Sequence, residues 1–288
     1  MKKTPDDPLT KLSWPAAWGG LAGFLLIASA IALSTNHLVA FFSIEGVMIV
    51  FGGVMAVAFM SFGVKDVNAA LHAIHTMFRE SPATDDEIRH DVVDILNWAR
   101  IIKDKGTLGL ERSINQTSNA DPFVAFGLTL VVSDYAPEEI HAMMETAADA
   151  RYERDSGPVQ VLHAMASHAP AFGMVGTLIG MVTMLYNLSG NPTGIGPALA
   201  VSFLSTFYGV VSARMIYMPA AARLTLKLDS QRFRNLLLTE GMVLLASKKS
   251  SVYVQDRLNS FLSPEMRNGL VDILHERALK NMKKAASA

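Results

Sequence analysis

Apolar residues run along this chain in long blocks, with polar residues gathered between them. Four blocks stand out: about Trp14 to Leu33, about Ile44 to Val64, about Leu162 to Leu188 and about Ile195 to Ala222. A bilayer core takes roughly 20 helical residues to cross, so each block predicts a transmembrane helix. The third and fourth are long enough to tilt or to project beyond the lipid. The stretch 65–161 reads as mixed helix and loop. Within it, "TDDEIRHDVVDILNWARIIKDKG" opens on a Thr cap with acids in its first turn and closes on lysines and a glycine, the usual helix start and stop signals. "DPFVAFGLTLVVSDYAPEEIHAMMETAADARYERDSG" predicts further helix broken at Ala136-Pro137. After the fourth block, "DSQRFRNLLLTEGMVLLASKKS" and "SVYVQDRLNSFLSPEMRNGLVDILHERA" are amphipathic. The pattern predicts an all-α membrane protein with four transmembrane helices. Its segments are an N-terminus at 1–13, a hairpin at 14–64, a large helical region at 65–161, a second hairpin at 162–222 and a helical tail at 223–288.

Charge orients these segments. Loops 34–43 and 189–194 contain no Lys or Arg, while the other non-membrane stretches hold 24 of the 25. The positive-inside rule therefore places both termini and the 65–161 region on the cytoplasmic side of the membrane. Trp14 and Trp18 sit where interfacial indoles belong, and Pro15 suits a first helical turn. Composition agrees: the chain is 50% hydrophobic and only 18% charged, against about a quarter charged in soluble domains. With no cysteine there is no disulfide framework. A net charge of −1 gives no reason to expect a nucleic-acid partner. The N-terminal apolar run is too long for a signal h-region, so the first span is expected to be retained.

The chain carries no H-E-x-x-H, P-loop, G-x-S-x-G or metal-ligand spacing, which points away from an enzyme or a resident cofactor. His168 stands alone at membrane depth. The chemistry lies in the second hairpin. Thr177 falls 14.5 residues before the loop midpoint at 191.5, and Thr206 falls 14.5 after it. Antiparallel helices at one rise per residue then put both hydroxyls at one depth. Ala169, Gly173, Gly176 and Gly180 thin one helix; Ala198, Ser202, Ser205, Gly209 and Ala213 thin the other. Such spacing lets helices approach closely in lipid, and close packing alone would also explain the glycines. Spans one, three and four hold no Asp or Glu, and Glu45 lies at the outer end of span two. A proton or sodium path ordinarily needs a carboxylate within the membrane. An ion path along Gly173, Gly176, Thr177, Ser205 and Thr206 would thus be completed by another chain's acid. Pro170 and Pro219 each remove a backbone hydrogen bond and favour a kink or hinge.

At these residues the chain resembles the MotA/PomA family, the A subunit of the bacterial flagellar stator. "IVFGGVMAV", "DPFVAFGLTLVVSDYAPEEI", "HAPAFGMVGTLIGMV", "IGPALAVSFLSTFYGVV" and "EGMVLLA" carry the likeness over nearly the whole length. The resemblance implies a pentamer around two copies of a MotB/PomB-type subunit that brings the membrane aspartate, with ion flow driving rotation against the rotor protein FliG. It also implies hinge roles for Pro170 and Pro219, and a rotor-facing role for Lys103 or the neighbouring Lys105 and for Glu111, with Glu145 on a further acidic position. Thr177 and Thr206 match threonines of sodium-driven members, which favours Na+ contacts there over H+. Arg214 departs from the family's uncharged residue; it either snorkels to the interface, pairs with an acid, or alters the ion path. The competing readings are an ExbB/TolQ-type energy transducer, which usually lacks the first hairpin, and a membrane scaffold that moves no ion.

Overall fold

The structure is a computed structural model describing residues 14–34, 41–78, 84–114, 121–190, 192–264 and 266–267. The described residues are helical, with no strand among them. The first apolar block forms α1, Trp14–Ser34. The second forms α2, Ile44–Ser61, with a π-helical turn at Met48–Gly52. Then come α3, Val64–Thr76, and α4, Thr84–Ile114. Gly106 breaks α4 with a φ of 68°, a left-handed conformation that glycine adopts without a Cβ clash. Next are α5, Pro122–Val132, α6, Pro137–Gly190, α7, Ile195–Ala246, and α8, Ser251–Asn259. The expected break at Ala136-Pro137 is where α6 begins, with Glu138 and Glu139 in its first turn. α6 then continues without a break through Pro158 and Pro170 for 54 residues. The N-terminal 1–13 segment, the loop at 35–40, the side chains of Trp14 and Pro15 and the tail beyond Arg267 lie outside the described residues.

Among the described residues, three helices, Ile44–Ser61, Pro137–Leu188 and Ile195–Ala246, are long and apolar enough to cross a membrane, and the described part of α1, Trp18–Ser34, is apolar. The chain forms two compact units. One takes α1, α2 and α3 with residues 155–227 of α6 and α7. Its core is built from small and medium side chains, among them Val54, Ala58, Ala70, Leu162, Met165, Ala169 and Ala220. The other takes α4, α5 and α8 with residues 137–154 and 228–246. Here Ile88, Ile95, Leu128, Ile140, Met144, Leu237 and Met242 make a bulkier core of the kind that burial from water stabilises.

An ionic cluster fastens this second unit. Arg234 donates to both oxygens of Asp91. Its Nη1 donates to Asp121 Oδ2 at 2.8 Å, while Arg151 Nη1 reaches Asp121 Oδ1 at 3.3 Å. Asp121 also accepts from the Phe123 amide at 3.0 Å, capping α5. Four helices meet in this one network. Burial pushes the Asp91 carboxyl up. Burial would do the same to Asp121, but the Phe123 amide, Arg234 and Arg151 outweigh it and hold that carboxyl below the usual range. Burial opposes the Arg234 charge too, and the bonds to Asp91 and Asp121 raise its pKa nonetheless.

Asp121 is only 18% exposed, so Asp121→Asn strips a charge from a largely buried pair while keeping a capping side chain. The expected loss is about 3 kcal/mol at pH 7, the low end for removing one partner of a buried ion pair. Because the folded pKa is depressed, this contribution is complete above the unfolded value of about 3.9 and fades as pH falls through the lower folded value. Thermal melts of the purified chain followed by circular dichroism should show the gap between wild type and variant closing below about pH 4. Equal melting at pH 7 would remove the cluster's role.

Candidate ion-path site

The site begins with absent side chains. Gly173, Gly176 and Gly180 recur at helical spacing on one face of α6. A Cβ on Gly173 would lie 2.9 Å from Thr206 Cα and 3.0 Å from the Ser205 carbonyl oxygen. One on Gly176 would collide with the Ser205 side chain. One on Gly180 would lie 2.6 Å from the Ala198 oxygen and 2.8 Å from the Ser202 nitrogen. From the other side, a Cβ on Gly209 would strike the Ala169 carbonyl and come within 3.2 Å of Pro170 Cα. The two backbones are therefore in direct contact along this length of the hairpin.

That contact brings the hydroxyls across the seam. The Oγ1 atoms of Thr177 and Thr206 lie 2.6 Å apart, one proton between them. The equal depth expected from residue counting is thus a hydrogen bond. Thr177 Oγ1 also reaches the carbonyls of Ser202 at 3.0 Å and Gly173 at 3.2 Å, and Thr206 Oγ1 reaches the Gly173 carbonyl at 3.2 Å. Ser202 Oγ donates back to the Thr177 carbonyl at 3.2 Å. Ser205 Oγ is turned inward to the Val201 carbonyl at 2.6 Å. A hydroxyl carries one donor and two acceptor lone pairs. Both threonine protons have backbone carbonyls as alternative acceptors, so both oxygens can be freed to face a cation with no proton left unsatisfied. Thr177 and Thr206 are half-buried, whereas Ser205, Gly173 and Gly176 are buried. The structure brings these five residues together.

The other candidates lie elsewhere. Pro170 packs against Gly209. Pro219 is exposed and follows a π-helical turn, Ala213–Tyr217. Its ring crowds the carbonyl four residues back, inside that turn, which supplies the local room. Lys103 and Lys105 are exposed just before the Gly106 break, and Glu111 is exposed beyond it. All three belong to the unit held by the ionic cluster. Glu145 is exposed and lies 3.5 Å from His141 Nδ1. Arg214 is exposed, and among the described residues no acid pairs with it. No three His, Asp or Glu among the described residues converge on a metal site.

Two features escaped the sequence reading. Tyr208 donates to the Phe41 carbonyl at 2.6 Å and accepts from the Ser43 amide at 3.0 Å, clamping the start of α2 to α7. Gly46 packs at the same place, where a Cβ would sit 3.2 Å from the Tyr208 ring. Glu45, at the outer end of span two, lines a cavity of about 560 Å³ with Thr183, Asn187 and Gly180.

Residues 115–234 match the MotA/TolQ/ExbB proton channel family. The chain is 33% identical to motility protein A of Aquifex aeolicus over 206 residues, 72% of this chain and 79% of that protein. It is 28% identical to chemotaxis protein PomA of Vibrio alginolyticus over 250 residues, 86% of this chain and 95% of that one. Its fold matches a chain of the C. jejuni MotAB structure with a TM-score of 0.75 at 21% identity, covering 87% of this chain and 96% of that chain.

The backbone seam makes a direct prediction. Gly180→Val should cost about 1–3 kcal/mol through overpacking against atoms that cannot rotate away. Gly52→Val, where nothing lies within 4 Å of the new carbon, should stay within about 0.5 kcal/mol. Unfolding of the purified full chain in mixed detergent measures both, and equal effects would remove the seam.

Proposed function

The chain belongs to the MotA/PomA family of motility proteins, within the MotA/TolQ/ExbB proton channels, and from that premise we propose that it is the torque-generating A subunit of a bacterial flagellar stator. The observation that carries the reading is the Thr177–Thr206 pair, 2.6 Å apart on a seam with no carboxylate of its own. Hydroxyl oxygens offer coordination without charge. A MotB/PomB-type partner, whose helix brings an aspartate to the same depth, supplies what is missing. On this reading α1, α2 and residues 162–188 and 195–222 are four spans of the inner membrane, with both termini and the 65–161 and 223–288 regions in the cytoplasm. Five copies surround two partner helices. Pro170 and Pro219 pass ion occupancy to the cytoplasmic unit, where Lys103, Lys105 and Glu111 face FliG.

Sodium is the proposed ion. Each threonine proton has a carbonyl to turn to, which suits a hard cation that takes oxygen ligands; a proton relay has no need of that freedom. The energy-transducer reading is disfavoured by the first hairpin, α1 and α2. The scaffold reading leaves the paired hydroxyls without a task.

Swimming speed of a stator-deleted cell expressing this chain with its partner tests the proposal. Speed should climb with sodium at fixed pH and survive a protonophore in high sodium. Thr206→Ala should raise the sodium concentration for half-maximal speed about tenfold, the loss of one ligand of about 1.4 kcal/mol. Speed indifferent to sodium and abolished by the protonophore would make the ion a proton and return both threonines to helix packing. No swimming with correctly inserted protein would overturn the stator reading itself.

A further inference from the structure

A second polar feature sits in the same unit, away from the threonine seam. A cavity of about 440 Å³ opens between the beginning of α1, the residues after α3 and the α7 segment 214–226. Its size falls within the range of about 300–1,000 Å³ typical of ligand clefts. Gly19, Met77, Phe78 and Leu226 give it apolar walls, and Arg214 and Arg223 give it charge. Both arginines are exposed, and neither has a hydrogen bond or ion pair among the described residues. No described carboxylate lines the cavity.

The pairing of these arginines is itself a product of the helix geometry. Residues nine apart on an uninterrupted α-helix lie about half a turn out of register. The π-helical turn Ala213–Tyr217 takes up an extra residue between them, and both side chains line one cavity. Such turns concentrate at functional sites. An unpaired arginine inside an apolar helix is costly unless it meets an anion or reaches the interface. Here Arg214 lies eight residues before the apolar block ends at about Ala222, and Arg223 and Lys227 follow immediately. Eight residues of helix are about 12 Å, so the Arg214 guanidinium reaches headgroup depth by snorkelling toward Arg223.

We propose that this cavity is a binding site for the phosphate headgroup of an anionic phospholipid, held between the guanidinium forks of Arg214 and Arg223. Guanidinium matches phosphate oxygens two at a time, and basic pockets between membrane helices are built for such headgroups. Exposed Leu21 and Leu25 follow the cavity-lining Gly19 and Gly20 deeper along α1, an apolar surface suited to acyl chains, which favours a lipid over a free anion. The inference rests on membrane insertion of α7 and not on the motor reading.

Native mass spectrometry of the purified full-length assembly in neutral detergent tests it, with phosphatidylglycerol, phosphatidylcholine and inorganic phosphate as separate probes. The wild type should retain phosphatidylglycerol about tenfold better than phosphatidylcholine, and millimolar inorganic phosphate should not displace it. The R214Q/R223Q double variant should lose that preference, and Lys249→Gln, in the other unit, should keep it. Gly19→Leu should also lose it. Nothing lies within 4 Å of the Cβ it adds, so the larger side chain starts from open space at the cavity wall, and this variant decides the matter where the double variant fails to assemble. Equal retention of the two lipids, unchanged binding in Gly19→Leu, or displacement by inorganic phosphate would overturn the proposal. Motility does not enter the readout, so a failed motor reading would leave the result standing.

Discussion

Contact between the backbones of α6 and α7 is the constraint on which the first unit depends. Two apolar helices in lipid gain little from the hydrophobic effect by meeting, since lipid tails are as apolar as leucine. What remains is dispersion and hydrogen bonding, and both act only at short range. Gly173, Gly176, Gly180 and Gly209 remove the Cβ atoms that would hold the helices apart. Once they meet, the Gly173 carbonyl can accept from Thr177 on its own helix and from Thr206 across the seam. The hydroxyl network is thus a consequence of the glycines, and a side chain at Gly173 would separate the threonines as well as the helices. Pro170 lies on the same line of contact, against Gly209, so any movement of α6 at that proline is felt directly by α7.

The second unit coheres by other physics. Residues 137–154 of α6 bury Ile140, Met144 and Ala148 at every fourth position, the amphipathic pattern of a helix beside water. Further along the same helix, Leu178 and Val182 are 59% and 68% exposed, a surface that suits lipid or another apolar helix. One helix carries both patterns; on the proposed reading the solvent changes along it from water to lipid, and glycine contacts hold one unit while a bulky core and the Arg234 cluster hold the other.

How much of this could be read from the sequence follows from the range of each interaction. The depth match of Thr177 and Thr206 was legible because a short loop and a fixed helical rise determine it. The ends of helices at Gly106 and Pro137 were legible because their signals are local. The cluster of Asp91, Asp121, Arg151 and Arg234 was not, since its members lie on four helices far apart in the chain and each alone resembles a surface charge. The two π-helical turns were equally silent, apart from Pro219 just downstream of one of them. Tyr208 was hidden for the same reason as the cluster, its partners lying more than 160 residues away. Arg214 stood out as an oddity, but only the fold puts Arg223 beside the same cavity.

The threonine seam has a further implication for assembly. Its oxygens are neutral, so a cation resting there carries an unbalanced charge in a medium that penalises one heavily. The described residues of both helices offer no carboxylate at that depth. Beside the seam, Met174, Leu178, Val182 and Leu185 form an exposed apolar stripe at helical spacing, and Thr177 is half-buried between that stripe and α7. On the proposed reading the stripe is where a partner helix packs, and the partner's acid then faces Thr177. The same docking that covers the apolar surface also supplies the countercharge. An isolated copy would present the ion with oxygens but no neutralising group, so conduction and assembly become a single requirement.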